Sequence, residues 1–205
     1  MFASLLVLFD LVGAYLIGSV CSAVIISRLF QLPDPRLEGS KNPGATNVLR
    51  LAGKKYAVMV LLADVLKGTL PVVLAFALGA SAPVLGFSCL FAVLGHVYPV
   101  FFDFKGGKGV ATALGALLGF DPLLGLSVLT TWLLIAFVSR YSSLASIIAV
   151  GLAPFYAFIC VGSRPAFWPL LVMAGVVLYQ HRENFTRLFN GLEPKIDLSA
   201  RLNKK

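Results

Sequence analysis

The sequence predicts an all-α integral membrane protein: a polytopic bundle of about seven transmembrane helices, with the N-terminus outside and the C-terminus in the cytoplasm. Composition is the first reason, because 59% of the residues are hydrophobic, 13% are charged and the mean hydropathy is +0.90. A soluble domain carries about 25% charged residues. The second reason is a series of apolar segments joined by short loops. The third is that lysine and arginine are concentrated in alternate loops.

The apolar segments account for most of the chain up to residue 179. Spanning a bilayer takes about 20 apolar residues, with a lower limit near 17, and the fourth segment falls below that limit. It spans with help from its glycine-rich flank or it is re-entrant, so an arrangement of five spans is the alternative. The segments run over residues 2–30, 56–78, 83–102, 110–120, 122–138, 144–161 and 166–179.

The basic residues set the predicted orientation. With seven spans and the N-terminus outside, the loops that hold nearly all of the lysine and arginine face the cytoplasm. The opposite loops, near residues 79–82, 121 and 162–165, hold one cation between them. The net charge of +8 therefore indicates an anionic substrate and an anionic membrane leaflet rather than nucleic acid. We expect a single domain over residues 1–205 that ends in a basic tail, 194–205.

The first predicted cytoplasmic region lies near residues 36–55 and is dense in small hydrogen-bonding residues. Pro43 and Gly44 predict a turn there. Its hydroxyls, amides and guanidinium are groups that bind phosphate. An ordinary solvated loop that caps the next helix is the alternative. The residues concerned are Ser40, Asn42, Thr46, Asn47 and Arg50.

The most informative stretch is the glycine-lysine loop, residues 103–109, which is followed at once by Val110-Ala111-Thr112. Glycine lets backbone N–H groups approach an anion closely, and lysine supplies charge. The spacing is not that of a nucleotide-binding P-loop. Lys108 is predicted to open a helix, so an anion there would also meet a helix N-terminus. Lys105 has a second interpretation, as an interfacial anchor.

A third polar stretch covers residues 181–193. If the seventh helix continues, His181, Asn184 and Arg187 share a face or neighbour it. A surface amphipathic end to that helix is the alternative. Within the second segment, Asp64 and Lys67 have i,i+3 spacing and are predicted to pair. Asp10 has no obvious local partner in the sequence.

Taken together, these stretches resemble the bacterial membrane acyl-phosphate:glycerol-3-phosphate acyltransferases of the PlsY type, over nearly the whole chain. One departure is Lys41, where that family commonly has glycine. The segment Tyr141-x-Ser143-Leu144-x-Ser146 is also similar to one in the family. The main motifs are Gly39-Ser40-x-Asn42-x-Gly44-Ala45-Thr46-Asn47-x-x-Arg50, then Gly95-His96-x-x-Pro99-Val100-Phe101 with residues 104–112, and His181-x-x-Asn184-x-x-Arg187-x-x-x-Gly191-x-Glu193.

The resemblance implies the reaction. An acyl group passes from a fatty acyl phosphate to the 1-hydroxyl of sn-glycerol 3-phosphate, giving lysophosphatidate and phosphate, the first acylation of phospholipid biosynthesis. It implies neither a metal nor an organic cofactor. It also implies a multi-pass protein of the bacterial cytoplasmic membrane, surrounded by lipid, whose active site faces the cytoplasm.

The resemblance also implies site residues. Those expected to take part in catalysis are Ser40, Arg50, Lys108, His181, Asn184 and Glu193. Those expected to bind substrate are Asn42, Thr46, Asn47, Lys105, Gly106, Gly107, Gly109, Thr112, Ser143, Ser146 and Arg187.

The identity of the general base stays open at this point. The H-x-x-x-x-D arrangement of other glycerolipid acyltransferases is missing, since Phe101 and Thr186 stand five residues after the two histidines. A phosphate oxygen of the acyl donor is one proton acceptor, and His96 or His181 is the other. A small transporter is the alternative of a different class. Its substrate site would lie near the bilayer midplane between repeats, whereas these motifs cluster at one surface.

Overall fold

The structure is a computed structural model, and it describes residues 2–162 and 164–196. The predicted basic tail lies outside the described residues from position 197 onward. The described part contains α-helices, one 3₁₀ turn and no strand. Its helices are α1 (Phe2–Gly18), α2 (Ser22–Leu29), α3 (Ala45–Ala52), α4 (Lys54–Ala77), α5 (Ala82–Val97), α6 (Val110–Phe120), α7 (Pro122–Ser139), α8 (Ser142–Cys160), α9 (Arg164–Gln180) and α10 (Arg182–Phe189).

Four stretches of the described chain are long and apolar enough to cross a membrane alone. They are α4, α5 with its 3₁₀ extension to Phe102, α7 and α8. The pair α1 and α2 passes the same test jointly and is bent by 41° at its break. The helix α6 is apolar but has 11 residues. Length and composition thus identify four spans, or five with the bent pair, and the expectation of seven depends also on α6 and α9.

Two predicted segments differ in form from the helices that the structure contains. The first, 2–30, is interrupted at residues 19–21, where Ser19 and Val20 leave the helical pattern. The end of the third is a 3₁₀ turn, Val100–Phe102, because Pro99 cannot continue α5. The other five agree with α4 and α6 to α9 to within about three residues.

Apolar side chains on the outside of the bundle match a lipid environment. Large hydrophobic residues are exposed on several helices, including Leu66 at 64%, Phe137 at 81% and Val138 at 80%. Soluble monomers rarely show so continuous an apolar surface. The core itself runs through α4 to α9 and is made largely of alanine, valine and leucine.

Close packing and polar contacts join helices of the bundle. The helix α6 packs against α4, where a methyl group at Gly68 or Gly115 would overlap a backbone carbonyl of the partner helix. These small residues therefore permit the close approach of the two helices. Asp10 of α1, which lacked a partner in sequence, accepts a hydrogen bond from Ser88 of α5.

Candidate active site

The glycine-lysine loop connects the 3₁₀ turn to α6 and is held by backbone constraints at both ends. Asp103 and Phe104 adopt left-handed backbone angles, with φ of 54° and 56°. Such angles are uncommon for residues other than glycine, and they concentrate at functional sites. Gly109 has φ of 87° and forms the N-cap of α6.

Lys108 does not open the helix, and this part of the prediction is wrong. The left-handed φ of Gly109 is incompatible with a helical position, so α6 begins at Val110 and Lys108 precedes its N-cap. The N-terminus of α6 still adjoins the loop, so its free N–H groups lie beside the lysine.

A chain of hydrogen bonds links Lys108 to the third polar stretch. The Lys108 ammonium donates to Oδ1 of Asn184, and the amide nitrogen of Asn184 donates to Oε1 of Glu193 at 2.7 Å. The second carboxylate oxygen of Glu193 accepts from Nε of Arg187 at 2.8 Å. The four residues, predicted from two separate motifs, therefore form one network.

Charge and burial shift the pKa values of this network. Burial would raise the pKa of Glu193, but Ser143, Arg187 and Asn184 together outweigh it and hold the pKa below its ordinary value. The carboxylate is therefore ionised at neutral pH. Burial is the largest cause that lowers the pKa of Lys108, and the charge of Arg187 lowers it further, against the opposing effect of Glu193.

His181 lies beside this network as the N-cap of α10. The helix α9 ends at Gln180, so Asn184 and Arg187 of the third motif lie on a separate short helix rather than on a continuation of α9, and Glu193 follows that helix. The side chain of His181 is buried, and its Nδ1–H donates to the carbonyl oxygen of Val177 at 2.8 Å. Burial lowers the pKa of His181 to about 4, so its imidazole is neutral at physiological pH.

The first polar loop is ordered by Asn47, which is 1% exposed. Its amide nitrogen donates to the carbonyl oxygens of Pro35 and Glu38, each at 3.0 Å, and its Oδ1 accepts from the backbone N–H of Ser40 at 2.9 Å. Asn47 thus holds Ser40 in position through the loop backbone. Lys41, which stands where the family commonly has glycine, has φ of 56°. Glycine adopts this conformation without strain.

The other predicted residues of this loop are more open. Ser40, Thr46 and Arg50 are exposed, and Asn42 is half-buried. Arg50 is close enough to Lys108 for its charge to lower the pKa of the lysine. The structure therefore brings Arg50 of the first motif, Lys108 of the second and Asn184 of the third toward one region.

Backbone contacts join the first loop to the glycine-lysine loop. A methyl group built on Gly107 would lie 3.0 Å from the carbonyl oxygen of Pro43, and it would also overlap Nε2 of His96. Gly107 is buried and Gly106 half-buried, and a methyl group on Gly106 would overlap the carbonyl oxygen of His96. Both glycines are needed for this close approach.

The hydroxyl residues predicted to bind substrate differ in their surroundings. The Ser143 hydroxyl is buried near the Glu193 carboxylate, yet it forms no hydrogen bond of ordinary geometry with the described residues. The hydroxyl of Thr112 is likewise buried without a partner among those residues. Ser146 is engaged within the bundle, since it accepts from Trp132 at 3.0 Å and donates to the Ser142 carbonyl at 2.8 Å. Lys105 is exposed.

The sequence did not identify the surroundings of His96. The predicted pairing of Asp64 and Lys67 is confirmed at 2.9 Å, but the pair also contacts Ser22 and His96. These partners come from other helices, and no spacing rule relates them. In the sequence, the nearby glycine-lysine loop was the one indication that His96 lies next to the proposed site. No group of three metal-ligating side chains occurs within the described ranges.

The family comparison agrees with the motifs. A family model described as glycerol-3-phosphate acyltransferase matches residues 8–191. A glycerol-3-phosphate acyltransferase from Legionella pneumophila (strain Corby) is 58% identical over 191 residues, which are 93% of this chain and 69% of the relative. One from Methylococcus capsulatus is 51% identical over 183 residues, covering 89% and 92% of the two chains.

Solved structures extend the similarity to three dimensions. The crystal structure of PlsY (YgiH), an integral membrane glycerol 3-phosphate acyltransferase, in its glycerol 3-phosphate form superposes with a TM-score of 0.90. It is 42% identical and covers 97% of this chain and 99% of its own. The lysophosphatidic acid form of PlsY has a TM-score of 0.85 at 43% identity and covers 92% and 94% of the two chains. The present chain is thus an integral membrane acyltransferase that belongs to the glycerol-3-phosphate acyltransferase family.

Proposed function

We propose that this protein transfers the acyl group of a fatty acyl phosphate to the 1-hydroxyl of sn-glycerol 3-phosphate. The products are 1-acyl-sn-glycerol 3-phosphate and inorganic phosphate, and the step is the first acylation of phospholipid biosynthesis. The observation that carries the proposal is the network of Lys108, Asn184, Glu193 and Arg187 at the glycine-lysine loop. The acceptor and product match the two ligand forms in which PlsY has been crystallised.

The charges at the site suit two phosphorylated substrates. Lys108 and the backbone of Gly106 to Gly109 are assigned to neutralise a phosphate, and Arg50 and Asn184 to position glycerol 3-phosphate. A guanidinium binds phosphate through a planar pair of donors. Two carboxylates lie near these cations: Glu193, whose two oxygens accept from Arg187 and Asn184, and the exposed Glu183, 3.8 Å from Arg187. Neither Lys108 nor Arg50 forms an ion pair within the described part of the chain, so both cations are available to an anionic ligand.

Other predicted residues receive supporting roles. Ser40 of the first loop and Thr46 of α3 are exposed, so their hydroxyls are available to a substrate. Asn47 acts by ordering that loop. The hydroxyls of Ser143 and Thr112, which lack a hydrogen-bond partner among the described residues, are assigned to polar contacts. Further contacts are assigned to Asn42, Lys105, Ser146 and Arg187.

The reaction balances without a group from outside the two substrates. The glycerol oxygen attacks the acyl carbonyl carbon, a new ester C–O bond forms, and the C–O bond to the leaving phosphate breaks. The hydroxyl proton passes to a phosphate oxygen of the donor. Such a substrate-assisted path requires the protein mainly to hold the reactants together and to stabilise the developing negative charge. We assign that stabilisation to Lys108.

His96 and His181 are the rival proton acceptors, and the environment of His181 argues against that role for it. An efficient base has a pKa near the working pH, whereas burial lowers the pKa of His181 to about 4. Retention of nearly full kcat in His181→Gln would exclude it as the base. A loss of more than about a hundredfold in kcat would favour it.

The proposed location is the bacterial cytoplasmic membrane, with seven spans and the polar loops in the cytoplasm. The apolar exterior and the basic loops support this arrangement. A cysteine introduced at Asp121, between α6 and α7, tests whether α6 crosses. Labelling from outside supports seven spans, and inaccessibility supports five. The matching position Ser163 lies outside the described residues.

The donor is tested by supplying the purified protein with glycerol 3-phosphate and either palmitoyl phosphate or a palmitoyl thioester. We expect lysophosphatidate and phosphate in equal amounts from palmitoyl phosphate and no product from the thioester. Product from the thioester alone would retain the reaction class and overturn the donor. Failure with every donor would overturn the proposed acyl transfer.

A further inference from the structure

A buried polar cluster lies within the helix bundle below the glycine-lysine loop. It consists of Ser22, Asp64, Lys67 and His96, and none of these residues is more than 7% exposed. Oδ1 of Asp64 accepts from the Ser22 hydroxyl at 2.6 Å and lies 2.9 Å from the ammonium of Lys67. Lys67 also donates to the carbonyl oxygen of Val20 at 2.7 Å, which is freed by the break between α1 and α2.

His96 connects this cluster to the loop. Its carbonyl oxygen accepts a hydrogen bond from the backbone N–H of Gly107 at 3.2 Å. A methyl group on Gly106 would overlap that same oxygen, and a methyl group on Gly107 would overlap Nε2 of the ring. His96 therefore supports the two glycines with both its backbone and its side chain.

The opposite edge of the imidazole faces the cluster. Nδ1 of His96 is fully buried and lies 3.5 Å from Oδ1 of Asp64, and it forms no hydrogen bond within the described part of the chain. A nitrogen lone pair directed at a carboxylate is repelled, so the charge of Asp64 favours the proton on Nδ1. In the neutral ring this leaves Nε2, on the loop side, as an acceptor. The Asp64 charge, held in turn by Ser22 and Lys67, thus favours one orientation and one tautomer of the His96 ring.

We propose that Asp64 and His96 are positioning residues for phosphate binding: Asp64 orients the imidazole, and the imidazole sets the backbone of Gly106 and Gly107. This inference rests on the proposed function of the loop as a phosphate site. Neither side chain is assigned to contact the substrate. The two glycines must present their backbone to a phosphate at a fixed position, so removal of the Asp64 charge should weaken phosphate binding through the loop.

The test is Asp64→Asn, which keeps the size of the side chain and removes its charge. The matched control is Asp10→Asn, which makes the same change in α1 at an acid bonded to Ser88, outside the cluster. We expect Asp64→Asn to raise the KM of a phosphorylated substrate about tenfold or more while kcat changes less. We expect Asp10→Asn to leave both values near those of the wild type. Thermal stabilisation by glycerol 3-phosphate is measured in parallel.

The side chain of His96 is tested by comparing His96→Gln with His96→Ala. Glutamine places an amide near the position of Nε2 and should preserve more of the substrate affinity than alanine does. Unchanged KM values and unchanged ligand stabilisation in Asp64→Asn would overturn the inference. A fall in kcat at constant KM would also overturn it, because His96 would then act as a base rather than as a support.

If Asp64→Asn does not fold, Ser22→Ala is the variant to test. It removes one hydrogen bond to Asp64 and should produce a smaller rise in KM. If the wild type is inactive with acyl phosphate, the proposed donor is wrong. The effect of Asp64 on stabilisation by glycerol 3-phosphate would still decide whether the pair positions the loop.

Discussion

The side-chain oxygen of Asn184 accepts a hydrogen bond from the ammonium group of Lys108, although the two residues lie 76 positions apart in the chain. The same amide donates to Glu193 at 2.7 Å. Asn184 therefore connects the cation of the glycine-lysine loop to the carboxylate that follows α10. The geometry of the proposed phosphate site depends on this connection.

Replacement of Asn184 should impair catalysis. Asn184→Ala removes the group that holds the Lys108 ammonium, so we expect kcat/KM to fall by about a hundredfold, as when one preorganised donor is lost. Steady-state kinetics provides the measurement. The control is Asn190→Ala, an exposed asparagine that ends α10, and equal losses in both variants would contradict the account.

The Glu193 carboxylate should contribute to stability as well as to the site. Glu193→Gln weakens hydrogen bonds to Arg187 and Asn184 at a side chain that is 7% exposed. We expect a loss of about 1–2 kcal/mol in the free energy of unfolding, measured as a lower thermal midpoint. Glu183→Gln is the matched control, because Glu183 lies 3.8 Å from the same arginine but is 76% exposed. A larger loss in the control would refute this role for Glu193.

The backbone of Gly107 should tolerate no side chain. In Gly107→Ala the new methyl group meets Nε2 of His96 and the carbonyl oxygen of Pro43, so the loop must shift. We expect a rise of about tenfold or more in the KM of a phosphorylated substrate. Gly151→Ala in α8 adds a methyl group that, apart from the adjacent backbone of its own helix, has no described atom within 4 Å, and it should leave KM unchanged. Wild-type kinetics in Gly107→Ala would contradict the packing.

The stability of the protein should depend on pH through His181. Its pKa is about 4 in the folded state and 6.5 ordinarily, so between these values the unfolded chain binds a proton that the folded chain does not. Stability should therefore fall as the pH drops from 6.5 toward 4. Thermal midpoints at about pH 5 and about pH 7.5 measure this, and the wild type should lose more than His181→Gln. Identical losses of stability in the two proteins would contradict the lowered pKa of His181.

The positions of the apolar helices could be predicted largely from the sequence because each forms from a continuous apolar segment. The bounds of α6 agree with the predicted segment, and α7 differs by one residue at its end. The predicted helix ends were wrong where proline or glycine backbone geometry determines the end of a helix. Pro99 ends α5 early, and Gly109 delays the start of α6 past Lys108.

Short helices in polar stretches were also missed. The stretch that includes Asn47 and Val48 was predicted as a loop because it is rich in turn-forming residues, yet α3 forms there and buries both side chains. At the other end of the chain, His181 ends the preceding helix and caps α10. Burial against the bundle outweighs the local preferences in both places.

Candidate site residues could be proposed from the sequence by residue type, but the contacts among them could not be predicted. The motifs containing Lys108, Asn184 and Glu193 point to phosphate chemistry because of their residue types. The order of contacts among them depends on how α6, α9 and α10 meet. The link from Asp64 to His96 and Gly107 has the same origin, since helix packing rather than spacing brings these residues together.

The most direct test of the central claim is product formation by Lys108→Ala with palmitoyl phosphate and glycerol 3-phosphate. Phosphate and lysophosphatidate are measured together, and Lys54→Ala, an exposed lysine at the start of α4, serves as the control. We predict equal amounts of both products from the wild type and the control, and a loss of about a hundredfold or more in Lys108→Ala. Undiminished formation of both products by Lys108→Ala would contradict the assignment of the glycine-lysine loop as the catalytic phosphate site.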